Sequence, residues 1–581
     1  MTRDTPEFPR GLLRAELFLG VVSAVSAAQA RLNLSVAGQP SGSHFEAGRY
    51  GRGEVGELVL IAGQVGLVLG KIVDVRVGEG ERWDLGQRSS AQGEISGFVQ
   101  FLGTVRPDTL ETSAGVASYP RLGDRVYSAP HLFVGRIPHL MAAPASAGQS
   151  VEMCIGSVAG RSGAEIVVRP EKLFGRHCAV LGATGGGKSW TVAKLLEESI
   201  AHPGAKVILV DATSEYRGFE SAVVTHAHLG RPVDRATNSQ ACRLPPTCFV
   251  ESDFIALFEP AGKVQGPKLR AAIRSLRLAC LRQELAPSGY IKKIEQSKQA
   301  VLDAESDPDI GAKLDDPAQE FNVRKLVAQI EQECVYPDGF GSARGQKDPS
   351  RWGGESGEFA HCLTLVSRIN SVLSAKSFDC VFGGVGPSVN EIIEAFVNGS
   401  GRLLRICLGG VAYEFKAREI IANTIGRYLL NRARDGAYRG RPLLVFVDEA
   451  HNFLGRHVGG EDHVSRLDAF ELIAREGRKY GLNLCLATQR PRDLTEGVLS
   501  QVGTLLVHRL TNDRDREVVE RACGEIDRSA AAFLANLKAG EAVLIGVDFP
   551  IPLTVQVGKP STPPRSDGPN YQAAWSDEAE R

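Results

Sequence analysis

The chain has 581 residues, too many for one ordinary domain, and its 43% hydrophobic and 23% charged content is globular rather than disordered. Its 64 glycines are dispersed without a three-residue period, which excludes collagen. With 67 Lys+Arg against 68 Asp+Glu the net charge is −1, so no basic surface covers the molecule and any nucleic-acid contact must be local.

Residues 17–30 imitate a secretory signal, but Asp4, Glu7 and Glu16 place acid where such a signal carries positive charge. No apolar run approaches the roughly 18 residues that a membrane span needs, so no membrane partner is expected. Eleven cysteines, an odd number with no C-x-x-C pair, exclude the usual zinc ribbons and suit a reducing, cytoplasmic compartment.

Residues 1–165 alternate short apolar runs (56–63, 67–77, 94–103, 123–130) with glycine-rich turns, a pattern of many short strands that predicts a small antiparallel barrel or sandwich. The pattern changes near Arg176. Strand-like runs at 178–182, 206–211, 403–408, 443–448, 483–488 and 504–509 alternate with helical segments at 188–200, 417–434 and 464–480. This predicts an α/β core over 166–215 and 401–560, with a predominantly parallel sheet covered on both faces. Runs at 541–547 and 552–557 read as late strands, before an extended tail at 561–581.

Residues 216–400 read as a helical insertion. Residues 251–300 carry nine Lys/Arg against five Asp/Glu, with Leu269, Ile273, Leu276 and Cys280 at helical spacing; residues 301–320 reverse the sign. The plain reading is a solvated helical lid with a charged loop rather than a binding site.

Gly182-Ala183-Thr184-Gly185-Gly186-Gly187-Lys188-Ser189 fits G-x-x-x-x-G-K-[ST] between a strand and a helix, with Trp190 following. Phosphate oxygens need several backbone N–H groups at close range, hence residues without Cβ, and the helix N-terminus faces the same anion. Lys188 can reach the β- and γ-phosphates of ATP, and Ser189 can ligate Mg²⁺. The apolar run Leu443–Val447 delivers Asp448 and Glu449, the first to hold a metal-bound water and the second to deprotonate the attacking water. Gln489, after another strand, can sense the γ-phosphate. Arg475 and Arg478 share a helix face; they either favour the helix dipole or supply an arginine finger to a neighbouring subunit. The DEAH string at 448–451 comes without other motifs of the helicases named for it, and His451 reads as a helix-start residue.

In this order the motifs resemble the HerA branch of the FtsK–HerA superfamily of hexameric motor ATPases. The matching stretches are LGATGGGKS (181–189), VDATSEY (210–216), LLVFVDEAHNFL (443–454), AREGRKYGLNLCLATQRP (474–491) and LSQVGTLLVHRLTNDRD (499–515). The resemblance implies a RecA-like P-loop core under a β-barrel cap, with the run 541–557 returning toward that cap. It also implies a homohexameric ring with ATP between subunits. By the same resemblance Lys188 and Ser189 bind phosphate and Mg²⁺, Glu449 is the base, Gln489 the sensor, Arg478 or Arg475 the trans finger, and Arg176 a second arginine near the nucleotide. The family's D-x-x-G-E-Y is Asp211-Ala-Thr-Ser214-Glu215-Tyr216 here. HerA proteins act with a separate effector, either a nuclease in DNA end resection or a nuclease or sirtuin-like NADase in antiphage defence. The implied activity is ATP-driven translocation on double-stranded DNA; the alternative is an ATP-gated ring scaffold that assembles an effector.

Overall fold

The structure is a computed structural model describing residues 11–35, 37, 43–45, 48–77, 95–141, 151–159, 164–232, 238–340, 346–384, 386–454, 456–458, 465–522, 533–565, 571 and 575. The chain divides into two compact units, Met1–His202 with Cys485–Pro563, and Pro203–Leu484 with Pro564–Arg581.

In the first unit the strands Gln29–Asn33, Phe18–Val25, Arg125–Ser128, Leu58–Ala62, Leu67–Val77 and Ile95–Val105 pair in that order. The sheet closes on itself where Leu32 pairs with Gly97, which makes a six-stranded antiparallel barrel. The signal-like stretch is thus barrel strand. Alternation along each strand sorts the side chains. Val59, Ile61, Val68 and Val99 fill the barrel with Leu19 and Leu32. Leu60 and Leu69 face outward onto the helix His131–Leu140 and onto Ile551 and Leu553 of the strand Phe549–Val557. The late run therefore does return to the barrel.

The second sheet region of this unit is mixed rather than predominantly parallel. Cys178–Leu181 lies between two parallel neighbours, Cys485–Thr488 and Thr504–Val507. Glu541–Gly546, Phe549–Val557, Met153–Val158 and Glu165–Val168 then follow, each antiparallel to the one before. The two-residue turn between Gly546 and Phe549 is too short for a crossover, and so forces antiparallel pairing.

In the second unit Leu443–Val447, Val207–Asp211, Leu403–Cys407, Val224–His228 and Ser239–Ala241 pair in parallel in that order. Val207–Asp211 and Leu403–Cys407 are buried throughout, as strands covered on both faces must be. The helix Ala417–Arg434 makes the crossover into Leu443–Val447. Where 464–480 was predicted as one helix, Ser465–Leu467 is strand, Ala469–Glu476 is helix and Gly477–Tyr480 is a single 3-10 turn; residue 464 lies outside the described residues.

Glu251–Phe258, Gly262–Leu281, Phe359–Ser374 and Val389–Asn398 are helices of this unit, and Leu269, Ile273 and Leu276 are buried at their predicted spacing. The two opposite charge runs meet at two arginines: Arg274 pairs with Asp315 and Glu305, and Arg282 with Asp307 (3.3 Å), while Arg270 bonds Glu251 (2.5 Å) within its own run. At about 0–1 kcal/mol per exposed pair these contacts do little for stability. They do engage three of the nine basic side chains of the run.

Lys206, 3% exposed, gives its three N–H donors to the carbonyls of Phe396 (2.6 Å), Gly399 (2.9 Å) and Gly401 (2.7 Å), closing the C-terminus of Val389–Asn398. Lys206→Met strands three carbonyls that water reaches poorly. It is expected to lower unfolding free energy by about 2–4 kcal/mol, read as a reduced urea midpoint.

Candidate nucleotide-binding site

The strand Cys178–Leu181 ends in the loop 182–187, and the helix Lys188–Ile200 starts at the predicted residue. Gly187 caps that helix at φ 109°, and Gly185 stands at φ 76°, both in the left-handed region that favours glycine. A Cβ on Gly182 would sit 2.6 Å from His508 Cβ, and one on Gly187 3.2 Å from Gly540 Cα. The loop is bare because a floor lies directly beneath it. A glycine-rich bend at a helix N-terminus fits a phosphate chain, although Gly182 and Gly186 give their amides to Thr488 O (3.3 Å) and Ala183 O (3.0 Å).

Lys188 is buried, Ser189 partly exposed, Thr184 and Trp190 exposed, and Ala183 donates its amide to Arg509 O (3.1 Å). Gln489, one residue past the neighbouring strand, accepts a 2.6 Å hydrogen bond from the Thr184 hydroxyl. The residue proposed as sensor is therefore tied to the loop itself. Arg176 lies just before the central strand, half exposed, with Nε 3.6 Å from Asp548.

His508 forms the floor, and nothing in the sequence alone marked it. It is fully buried, with Nδ1 2.8 Å from the Glu541 carbonyl and Nε2 2.8 Å from the Thr191 hydroxyl. A carbonyl only accepts, so Nδ1 carries the proton and Nε2 accepts from Thr191. Burial pushes the imidazole pKa down to about 4, although the contacts with Glu541 and Gly186 work in the opposite direction. An unfolded histidine titrates near 6.5. Between these values the unfolded chain binds the proton that the folded chain refuses. This part of the stability is complete above about pH 6.5 and is lost as pH falls toward 4, about 3 kcal/mol in all. A urea midpoint that drops from pH 7.5 to pH 5 is expected, with the slope reduced in His508→Gln; equal slopes would remove His508 as the cause.

In the second unit Asp448 follows Leu443–Val447, is 1% exposed, and accepts from the Thr213 hydroxyl at 3.4 Å. Glu449 has φ 47°, a left-handed backbone uncommon outside glycine, and caps the 3-10 turn Ala450–Asn452. His451, expected at a helix start, is buried in that single turn with Nδ1 3.3 Å from Glu449 Oε2.

Asp211, fully buried, organises the D-A-T-S-E-Y turn. Oδ1 accepts from the amides of Thr213 (3.2 Å) and Ser214 (2.8 Å), and Oδ2 from the Tyr216 amide (3.3 Å) and Arg405 Nε (2.7 Å). Ser214 keeps φ 68°, the conformation for which the glycine of D-x-x-G-E-Y is suited. Its hydroxyl lies 2.9 Å from Cys407 Sγ, over Gly409, where a Cβ would collide with it.

Arg475 is held by Glu471 at 2.6 Å, whereas the exposed Arg478 makes no side-chain hydrogen bond or ion pair among the described residues. No group of three or more metal-ligating side chains occurs among the described residues, and none of their helices is long and apolar enough to cross a membrane.

Residues 153–330 match the family model described as the central domain of helicase HerA. The probable helicase MJ1565 of Methanocaldococcus jannaschii is 24% identical over 419 residues, 70% of this chain and 66%, just under two thirds, of that protein. The DNA double-strand break repair helicase HerA of Pyrococcus furiosus is 38% identical over 116 residues, 20% of each chain. The solved plasmid coupling protein TrwB in complex with ADP and Mg²⁺ aligns at TM-score 0.43 and 18% identity, over 74% of this chain and 93% of that one.

Proposed function

We propose that this chain, which carries a HerA helicase central domain and has HerA helicases as relatives, is an ATP-driven motor acting on double-stranded DNA. That kinship supports ATP hydrolysis as its reaction. The observation that supports the reading is the loop 182–187: a glycine-rich bend, with Gly185 and Gly187 in the left-handed region, seated on His508 at the N-terminus of the helix Lys188–Ile200.

In this reading the loop amides and Lys188 hold the phosphates, and Ser189 and Asp448 are the hard oxygen donors for Mg²⁺. The metal, when bound, neutralises charge on the transferring phosphoryl group. Glu449, with His451 Nδ1 3.3 Å from its carboxylate, takes the proton of the attacking water. Gln489, bonded to Thr184, reads the γ-phosphate. Arg478, which makes no side-chain bond among the described residues, suits a finger in trans better than Arg475, which Glu471 already holds. The assembly is a homohexamer working with a separate nuclease or sirtuin-like NADase.

Duplex DNA is expected to raise the ATPase rate severalfold, with the stimulation falling steeply between 50 and 200 mM salt, as phosphate contacts demand. A rate indifferent to DNA at every salt concentration, yet altered by a co-purifying effector, would replace the motor with an ATP-gated scaffold.

A further inference from the structure

The Glu541 carbonyl that holds His508 belongs to a segment with a second exposure. Residues 533–541 also line a cavity of about 310 Å³ in the first unit, together with Glu57, Lys71, His131 and Leu553. That volume is at the small end of ligand pockets. Lys71 stands on the barrel strand Leu67–Val77, with Nζ 3.9 Å from the centroid of the Phe533 ring. Among the described residues its ammonium has no hydrogen-bond acceptor and no ion-pair partner, and burial lowers its pKa to about 8. Three donors facing a cavity with only a ring face for company lack an acceptor.

The neighbouring acids are already engaged. Glu57 accepts from the Ser128 hydroxyl and from the amides of Gly53 (3.0 Å) and Glu54 (3.2 Å). Glu541 accepts from the Lys538 amide (2.9 Å), and Glu54 pairs with Arg49 (3.3 Å). Against that acidic rim, one ammonium suits a singly charged head better than a phosphate dianion. Phe533, Leu537 and Leu553 supply apolar wall for the rest of the ligand.

We propose that this cavity is a regulatory site for a small organic monocarboxylate, its head on Lys71 and its apolar body on Phe533 and Leu537. Its occupancy passes to the nucleotide loop through residues 536–541. Asn536, Leu537 and Glu541 line the cavity. Gly540 donates its amide to Gly186 O (3.2 Å) and packs under Gly187, and Glu541 O fixes the His508 ring. A ligand that displaces this segment displaces the floor of the phosphate cradle. The cavity goes beyond the proposed motor function, while its coupling to the loop rests on the nucleotide-site reading.

Benzoate is the probe, with benzyl alcohol as the neutral control, on the full-length protein. Labelling of Lys71 by trinitrobenzenesulfonate, read by mass spectrometry, is expected to slow at least fivefold with saturating benzoate and not with benzyl alcohol. Benzoate is also expected to change KM for ATP at least twofold. Lys71→Gln and Lys71→Met, which remove a poorly solvated charge, should keep basal hydrolysis and lose that response. Unprotected Lys71, or protection by benzyl alcohol as well, overturns the anion site. Protection with an unchanged KM, or an equal KM response in the Lys71 variants, overturns the coupling. Labelling needs no turnover, so it reports on the cavity even if the nucleotide reading fails.

Discussion

Glu449→Gln is expected to slow ATP hydrolysis about 10³-fold while leaving nucleotide affinity and the urea midpoint unchanged. The amide keeps the size and the hydrogen-bonding reach of the carboxylate but cannot accept a proton. The backbone at φ 47° and the turn Ala450–Asn452 do not depend on that charge, so the fold has no reason to respond. Lys188→Ala is expected to differ in kind, because it removes the cation that sits at the helix N-terminus and so weakens binding as well as turnover. Phosphate release and fluorescent-nucleotide titration separate the two. Wild-type turnover in Glu449→Gln removes that residue as the base. Full turnover with weakened binding would instead make it a ligand for the nucleotide.

The residues that the sequence exposed and those it concealed differ in how far their partners lie along the chain. Glycine spacing between a buried strand and a helix is local punctuation, so the loop 182–187 and the helix Lys188–Ile200 were readable to the residue. The barrel strands showed as short apolar runs between glycine-rich turns, but such runs do not say whether a sheet closes. That depended on Leu32 meeting Gly97. The mixed sheet was hidden for a similar reason: buried runs look alike whether their neighbours run parallel or antiparallel, and only the short turn after Gly546 separates the cases. His508 sits within an ordinary-looking apolar run; its role exists only once Thr191, 317 positions earlier, and Glu541 are folded around it. Arg478 and Arg475 are indistinguishable by spacing, and Glu471 alone tells them apart. Likewise the charge runs read as a solvated lid, and which acid meets which base, Arg274 with Glu305 and Asp315 and Arg282 with Asp307, is set only by the fold.

Breaking the Asp211–Arg405 pair is expected to have the largest effect on stability. Both side chains are fully buried, 194 positions apart in sequence and on adjacent parallel strands, with Arg405 Nε 2.7 Å from Asp211 Oδ2. Removing one partner leaves an uncompensated charge in the interior, so Arg405→Met should lower unfolding free energy by about 3–5 kcal/mol. Asp211→Asn should approach the same loss, since the carboxylate also gathers the amides of Thr213, Ser214 and Tyr216. The double variant should be clearly less damaged than the two losses added, because neither buried charge then remains unpaired. Activity should not recover with it. Asp211 holds the turn that carries Thr213, and the Thr213 hydroxyl bonds Asp448, so the double variant regains stability while leaving Asp448, the proposed Mg²⁺ ligand, poorly placed. Additive losses in urea unfolding would mean that the two residues act separately, and restored hydrolysis in the double variant would cut the link from Asp211 through Thr213 to Asp448.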